Sequence, residues 1–314
     1  MAEQGIIVIK HVLISLMIAV GLISNMVGFV STYRVPVGFP ATRMLIRLQF
    51  IWDELGIIVI GLYWISFQIN IPLNILESSL FTYVWSSYYV AALPIALSAI
   101  NMALLAVDRY WAIVWFRTYR RNSKHYRIAL VAILLTWTIL LTSPIIILGH
   151  FMVHEHQIGL AGLNIIRKTC ALIGFLFSFL ITSLLVCATQ VHIFLVVRGK
   201  KNGTRIISTS SENSEDDNMT TLSISLIIIV VLFIVTRISY NLGYLLTQFG
   251  IIPKVDTIDW KTDIILLIPV NFCSNPLVLL FTTTGYRKWL IGNIKIMAVS
   301  FRKLLSRERS NPSH

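Results

Sequence analysis

Apolar residues gather in seven long stretches, at about 6–33, 43–68, 80–115, 127–150, 170–197, 220–249 and 262–284. Each reaches the roughly 20 residues that a helix needs to cross a bilayer. One stretch, Leu80 to Val107, holds 28 residues without a Lys, Arg, Asp or Glu. It ends on Asp108-Arg109-Tyr110, followed by Arg117, Arg120, Arg121 and Lys124. The simplest reading is a helix stopping at water. An acid beside a base at a helix end also suits a switch, in which the carboxylate holds the guanidinium in one state and releases it in another. The link at 198–219 is polar, with the run Ser208 to Asp217, and cannot bury a core. From residue 286 onward, Trp289, Leu290, Ile294, Met297, Phe301, Leu304 and Leu305 fall mostly three or four apart, with basic residues between them. That pattern predicts an amphipathic helix on the membrane surface. The chain divides into a bundle at 1–285 and a surface helix with tail at 286–314.

Composition agrees with an integral membrane protein. The 314 residues are 56% hydrophobic and 13% charged, with mean hydropathy +0.77; soluble domains carry about 25% charged residues. The net charge of +12 is explained by sidedness. With the amino terminus outside, twenty of the 26 Lys and Arg fall on inner segments and five on outer ones, with Arg237 inside a span. This bias puts Asp108-Arg109-Tyr110 and the carboxyl terminus in the cytoplasm and requires no nucleic acid. The start of the chain has no cleavage-site pattern, so the first span serves as its own insertion signal. The sequons at Asn202 and Asn218 then face the cytoplasm and stay unglycosylated. Cys170, Cys187 and Cys273 form neither a disulfide framework nor a metal-binding spacing. No Ser/His/Asp cluster or Gly-rich phosphate loop appears, so no enzyme and no cofactor are expected.

Polar groups inside the spans are costly, so each is a functional candidate. They are Asn25, Asp53, Ser98, Asn101, Arg237, Tyr240, Asn241, Asn271, Ser274 and Asn275, with Pro276 beside the last. The plain alternative is that such groups bond across helices to pack a bundle.

Their order along the chain resembles the rhodopsin-like G-protein-coupled receptors. Asp108-Arg109-Tyr110 resembles the signature at the inner end of that family's third helix. Asn25, Asp53 and Trp137 stand like its anchors in the first, second and fourth helices. Asn275-Pro276-Leu277-Val278-Leu279 resembles the seventh-helix Asn-Pro-x-x-Tyr motif, with Leu279 for Tyr. Phe233 to Ser239 resembles the sixth-helix motif, with Arg237 for Trp and Ser239 for Pro. Tyr286-Arg287 resembles the start of the surface helix. The resemblance implies an all-α membrane protein: a seven-transmembrane helix bundle with a short cytoplasmic amphipathic helix. It implies a plasma-membrane receptor that binds an extracellular ligand and activates a heterotrimeric G protein through Asp108, Arg109 and Tyr110. It also implies a polar core of Asn25, Asp53, Ser98, Asn271, Asn275 and Pro276, which in many members holds a sodium ion. Here Arg237, about one turn above, is expected to reach Asp53 and replace that ion, or else to point into the ligand cavity.

Departures from the family pattern shape the expected ligand and switching. The usual outer-end Cys of the third helix is Val84, so the common disulfide is absent and Cys170 has no partner. The outer loop from His150 to Lys168 is then held by packing or mobile. The fifth span lacks its Pro, and Ser239 removes the usual cause of a sixth-helix kink. Met219 stands near where some members carry an acidic partner for Arg109, which favours a weak lock and some basal activity. Ala91 replaces the Asp of amine receptors and Pro269 the Lys of opsins. The expected pocket is Tyr88, Tyr89, Ile95, Arg237, Tyr240, Asn241, Tyr244 and Gln248. Aromatic walls with a buried cation favour an anionic or strongly accepting group, and a mixed-charge outer rim (Glu77, Asp256) suits a peptide. Two other readings stay open: a receptor-like protein that no longer couples, and a seven-span transporter or channel.

Overall fold

Costly polar side chains lie inside the bundle alongside an apolar core, while many large apolar ones face outward. In a computed structural model, which describes residues 2–35, 38–69, 89–119, 123–153, 155–203, 213–252 and 258–310, Asn25, Asp53, Ser98, Asn101, Asp108, Arg109, Asn271 and Asn275 are all buried. Val8, Val12, Leu16, Ile23 and Val30 are exposed along the first helix. In lipid an apolar exterior costs nothing, and helices associate through close packing and interhelical hydrogen bonds.

All regular structure among the described residues is helical. The first span is α1 (Ala2–Arg34) and the second is α2 (Pro40–Ile69). Pro40 suits the first turn of α2, where its fixed φ fits and its missing N–H is not needed. The third span is α3 (Tyr89–Val114), followed by a single turn, α4 (Phe116–Tyr119). The fourth is α5 (Ser123–Val153). The fifth is continuous through α6 (Glu155–Ile173), a π-helical run (Gly174–Ile181) and α7 (Thr182–Gly203). The sixth and seventh are α8 (Asn213–Gln248) and α9 (Ile258–Thr282), and α10 (Thr284–Ser310) follows. Five stretches, Val8–Arg34, Tyr89–Val114, Lys124–Ile145, Asn164–Val196 and Ile224–Gln248, are long and apolar enough to cross a membrane, and Ile268–Thr282 is a shorter apolar one. The architecture is a seven-transmembrane bundle. α1 packs on α2 and α9, α9 on α8, α8 on α7, and α3 sits among α2, α5 and α7. α3 is the most buried of the five long apolar stretches.

Two links differ from expectation. The outer link between the fourth and fifth spans is helical on both sides of residue 154, not a loop. No proline falls between Pro144 and Pro253, so nothing in the covalent chain stops these helices. Between the fifth and sixth spans, α7 and α8 extend into the polar link and leave only 204–212 outside the described residues. The π-helical run was not foreseen, because the fifth span has no proline to disturb it. There the Thr182 hydroxyl donates to the Phe177 carbonyl five residues back, at 3.1 Å. Such runs are rare and concentrate at functional sites.

At two prolines, Pro144 and Pro276, a side chain takes the carbonyl that the missing N–H leaves free. Pro144 leaves the Leu140 carbonyl open, and the Ser143 hydroxyl donates to it at 3.1 Å. Pro276 leaves that of Phe272 open, and Asn25 Nδ2 donates to it from α1 at 3.3 Å. Asn25 therefore ties the first span to the bend of the seventh. Cys170, which has no disulfide partner, donates its thiol to the Pro144 carbonyl at 3.6 Å.

Close helix contact rests on glycine. A Cβ on Gly56 in α2 would lie 2.5 Å from Phe272 Cζ in α9, and one on Gly28 in α1 would lie 2.7 Å from the Phe50 ring. Phe272 is fully buried and its ring cannot move aside cheaply. Gly61, on the same helix as Gly56, has its nearest neighbours at 3.7 Å. Gly56→Ala is expected to destabilise the bundle by about 1–3 kcal/mol. Gly61→Ala should be neutral or slightly stabilising, since glycine costs about 1 kcal/mol in a helix interior. Thermal unfolding of both purified variants checks this; equal midpoints would show that α2 and α9 do not meet closely at Gly56.

Candidate functional site

Three groups of candidate residues lie along the bundle. At one end of the bundle, Asp108 and Arg109 are fully buried near the carboxyl-terminal end of α3. Asp108 Oδ1 accepts from the Tyr119 hydroxyl at 2.8 Å, and Oδ2 accepts from the Thr42 hydroxyl at the start of α2. Tyr119 is set by its rings' neighbours: Phe39 at 5.0 Å, Tyr126 at 5.8 Å and Trp111 at 6.3 Å between centroids. Trp111 also fastens α4 by donating to the Thr118 hydroxyl at 2.7 Å. Burial, together with the neighbouring Asp108 charge, pushes the Tyr119 phenol above its ordinary range. It therefore stays protonated and donates at any physiological pH.

Arg109 points elsewhere. Its guanidinium lies against Gly38 in the turn between α1 and α2, where a Cβ would sit 2.5 Å from Nη2. Gly38 has φ +75°, the left-handed region that glycine adopts without cost. Tyr110 turns toward α7, with its hydroxyl 3.1 Å from His192 Nδ1. Three consecutive residues thus address three different elements. On the far side of that end, a hydroxyl cluster joins α8 to α9 and α10. Ser225 bonds the hydroxyl of Thr282 and meets that of Thr283 at 3.3 Å, and Thr221 meets Thr284 at 3.2 Å. Leu279, where the family pattern has Tyr, is buried in the main apolar core with Phe50, Leu104 and Phe233.

In the middle of the bundle, Asp53, Ser98 and Asn275 come together as expected. The Ser98 hydroxyl donates to Asp53 Oδ1 at 2.6 Å, and Asn275 Nδ2 donates to Oδ2 at 2.8 Å. The third donor was missed. Gln49 Nε2 donates to Asp53 Oδ1 at 2.9 Å and to Ser98 Oγ at 2.7 Å. Gln49 Oε1 accepts from Asn101 Nδ2 at 2.8 Å, and that nitrogen also donates to the Leu45 carbonyl at 2.9 Å. The signal was present in the sequence: Gln49 stands four residues before Asp53, one turn away on the same helix face. Asn271 is fully buried, and Pro276 lies beside Asn275.

About one helical turn from the Asp53 cluster, Arg237 and Ile95 meet. Arg237 Nη2 donates to the Ile95 carbonyl at 3.1 Å, and its guanidinium carbon lies 5.6 Å from the centroid of the Phe233 ring. Arg237 is buried at 4% exposure. The expected direct pair with Asp53 is replaced by this contact to α3. Three neutral donors already occupy the Asp53 oxygens. Asn241 Nδ2 donates to the Arg237 carbonyl at 3.0 Å. Tyr89, Tyr244 and Gln248 are half-buried on α3 and α8. Tyr88, Val84, Glu77 and Asp256 lie outside the described residues, as do the side chains of Tyr240 and Met219.

The family described as 7 transmembrane receptor (rhodopsin family) matches residues 78–279, well over half of the chain. No curated protein matches it. The matched region runs from before α3, through Asp108-Arg109-Tyr110, to Leu279 in α9. The chain belongs to the rhodopsin family of seven-transmembrane receptors.

Proposed function

We propose that this chain is a plasma-membrane receptor, amino terminus outside and carboxyl terminus cytoplasmic, that binds an extracellular ligand and activates a heterotrimeric G protein. The observation that carries the proposal is Arg109. A guanidinium fully buried at the inner end of α3 is seated against a glycine that leaves it room. Asp108 beside it is engaged by Thr42 and Tyr119. An outer ligand that prefers a second helix arrangement shifts the population toward it. In that arrangement Arg109 leaves its seat and borders a cytoplasmic crevice for a G-protein helix. α10 carries Arg287, Lys288, Lys295 and Lys303 together with exposed Ile291, Ile294 and Met297, a composition suited to lipid at the cytoplasmic surface. The test is G-protein dissociation across the main classes, in cells expressing the chain and exposed to peptide and small-acid libraries. A response in one class that Arg109→Ala removes, at equal surface expression, supports the proposal; silence in every class overturns it.

The ligand we favour is a peptide or a small polar molecule bearing an anionic group, with Arg237 as its anchor. Charge-assisted hydrogen bonds contribute about 1.5–3 kcal/mol. Arg237→Gln keeps a donor for Ile95 but removes the charge. It is expected to weaken an acidic agonist about 10-fold or more and to leave an uncharged one nearly unchanged. Concentration–response curves for a matched acid and amide distinguish the two; equal loss for both would make Arg237 a packing residue.

A second reading is a receptor-like protein that does not couple. It is favoured by α8 running unbroken through Ser239 and by the hydroxyl cluster binding α8 to α9 and α10. Universal silence in the dissociation assay, with ligand binding retained, is the result it requires.

A further inference from the structure

We infer that the Gln49 carboxamide is the built-in partner of Asp53, its Nε2 holding the position where family relatives accommodate a sodium ion, so that this receptor's core does not respond to sodium.

The orientation of Gln49 follows from a backbone atom. The Leu45 carbonyl can only accept, so the Asn101 atom 2.9 Å from it is the donor Nδ2. That nitrogen also faces Gln49, so the Gln49 atom 2.8 Å away is the acceptor Oε1. The other end of the carboxamide is therefore Nε2. Its two N–H groups point at Asp53 Oδ1 and Ser98 Oγ, at 2.9 and 2.7 Å. A flipped carboxamide would set oxygen against carboxylate and nitrogen against nitrogen. Ser98 closes the ring by donating its own proton to Oδ1 at 2.6 Å, and Asn275 donates to Oδ2 at 2.8 Å.

A cation does not fit this donor set. It requires several lone pairs aimed at it, whereas N–H or O–H hydrogens already take three of the roughly four acceptor sites of Asp53 and one of the two on Ser98 Oγ. Binding sodium would break the Gln49 contacts and leave a buried amide unpaired, which costs about 1–3 kcal/mol per group. The neighbouring Asn271 shows the same preference. Its Oδ1 and Nδ2 both have no hydrogen-bond partner among the described residues. A water molecule serves an acceptor and a donor together, but a cation serves only the oxygen. Charge points the same way. Arg237 is held on the Ile95 carbonyl, three residues before Ser98 on α3 and so about 4.5 Å higher along that helix. A positive group already stands about one turn from the Ser98 level, and a second nearby would be repelled. The chain thus provides both functions of the ion from its own residues: local donors from Gln49 and compensating charge from Arg237.

Thermal unfolding of the purified full-length receptor tests this without knowledge of the agonist. Wild type, Gln49→Met and Arg237→Leu are each measured in sodium chloride and in choline chloride at equal ionic strength. Methionine keeps the length of glutamine and removes the amide. The expected results are equal midpoints for wild type in the two salts, and a sodium-specific rise of about 3 °C or more for Gln49→Met. A sodium-specific rise in the wild type overturns the inference by itself, even if Gln49→Met does not fold. A rise that appears in Arg237→Leu but not in Gln49→Met also overturns it, by moving the exclusion to Arg237.

Discussion

Asp53→Leu is expected to remove folded receptor from the cell surface, whereas Asp53→Asn should retain much of it. The side chain is fully buried in the middle of the bundle and receives hydrogen bonds from Gln49, Ser98 and Asn275. Leucine fills a similar volume but accepts nothing, so three buried donors lose their acceptor together. At about 1–3 kcal/mol each, the loss takes up a large share of the roughly 5–15 kcal/mol by which a folded domain is stable. Removing a carboxylate from low dielectric returns some solvation energy, but replacing a whole polar cluster differs from removing one member of it. Asparagine keeps one carbonyl oxygen for Gln49 and Ser98. Its amide nitrogen can donate to Asn275 once that side chain flips, because Asn275 Oδ1 has no hydrogen-bond partner among the described residues. Surface-epitope staining against total expression gives the folded fraction, and thermal unfolding of purified protein gives the order. Equal surface levels for Asp53→Leu and wild type would show that the cluster does not hold the bundle together.

Gly38→Ala is the second large effect, and its readout is signalling in the absence of ligand. Alanine brings two penalties to the turn between α1 and α2. The φ of +75° costs an ordinary residue about 1–2 kcal/mol. The new Cβ would also lie 2.5 Å from Arg109 Nη2. Arg109 has little room to yield, since it is fully buried. The strain falls on the arrangement in which Arg109 occupies this seat and is relieved when it leaves. One to two kcal/mol shifts a two-state population by a factor of about 5–30, so basal G-protein activation is expected to rise severalfold at matched surface expression. Gly38→Asn separates the causes, because asparagine tolerates the left-handed region yet still carries a Cβ. A rise in both variants assigns the effect to the contact with Arg109, and a rise in alanine alone assigns it to backbone strain. Basal activity that falls or stays level in both would mean that the seat does not restrain the switch.

The Asp108-Arg109-Tyr110 triplet was legible as a charged helix end, and its connections were not. Asp108 reaches across 66 positions to Thr42, and Tyr110 across 82 to His192. Nothing local in the chain marks those partners. The polar core shows the same division. Asp53, Ser98, Asn271 and Asn275 stood out because a polar group inside an apolar stretch is expensive wherever it points. Arg237 looked like the partner of Asp53 because it is the charged one. Geometry gave that place to Gln49, a neutral residue one turn from Asp53, and turned Arg237 to the Ile95 carbonyl. The π-helical run had no visible cause in a proline-free span.

By itself the sequence determined that the protein is a bundle of membrane-spanning helices and where its buried polar groups lie, because span length and the cost of a polar group in lipid act segment by segment. Only the tertiary structure decided which donor fills the Asp53 carboxylate, where Arg109 rests and how the outer link is shaped. Those outcomes depend on distances between helices far apart in the chain, as from Asn275 to Asp53 across 222 positions. A hydrogen bond tolerates only a few tenths of an ångström in such distances.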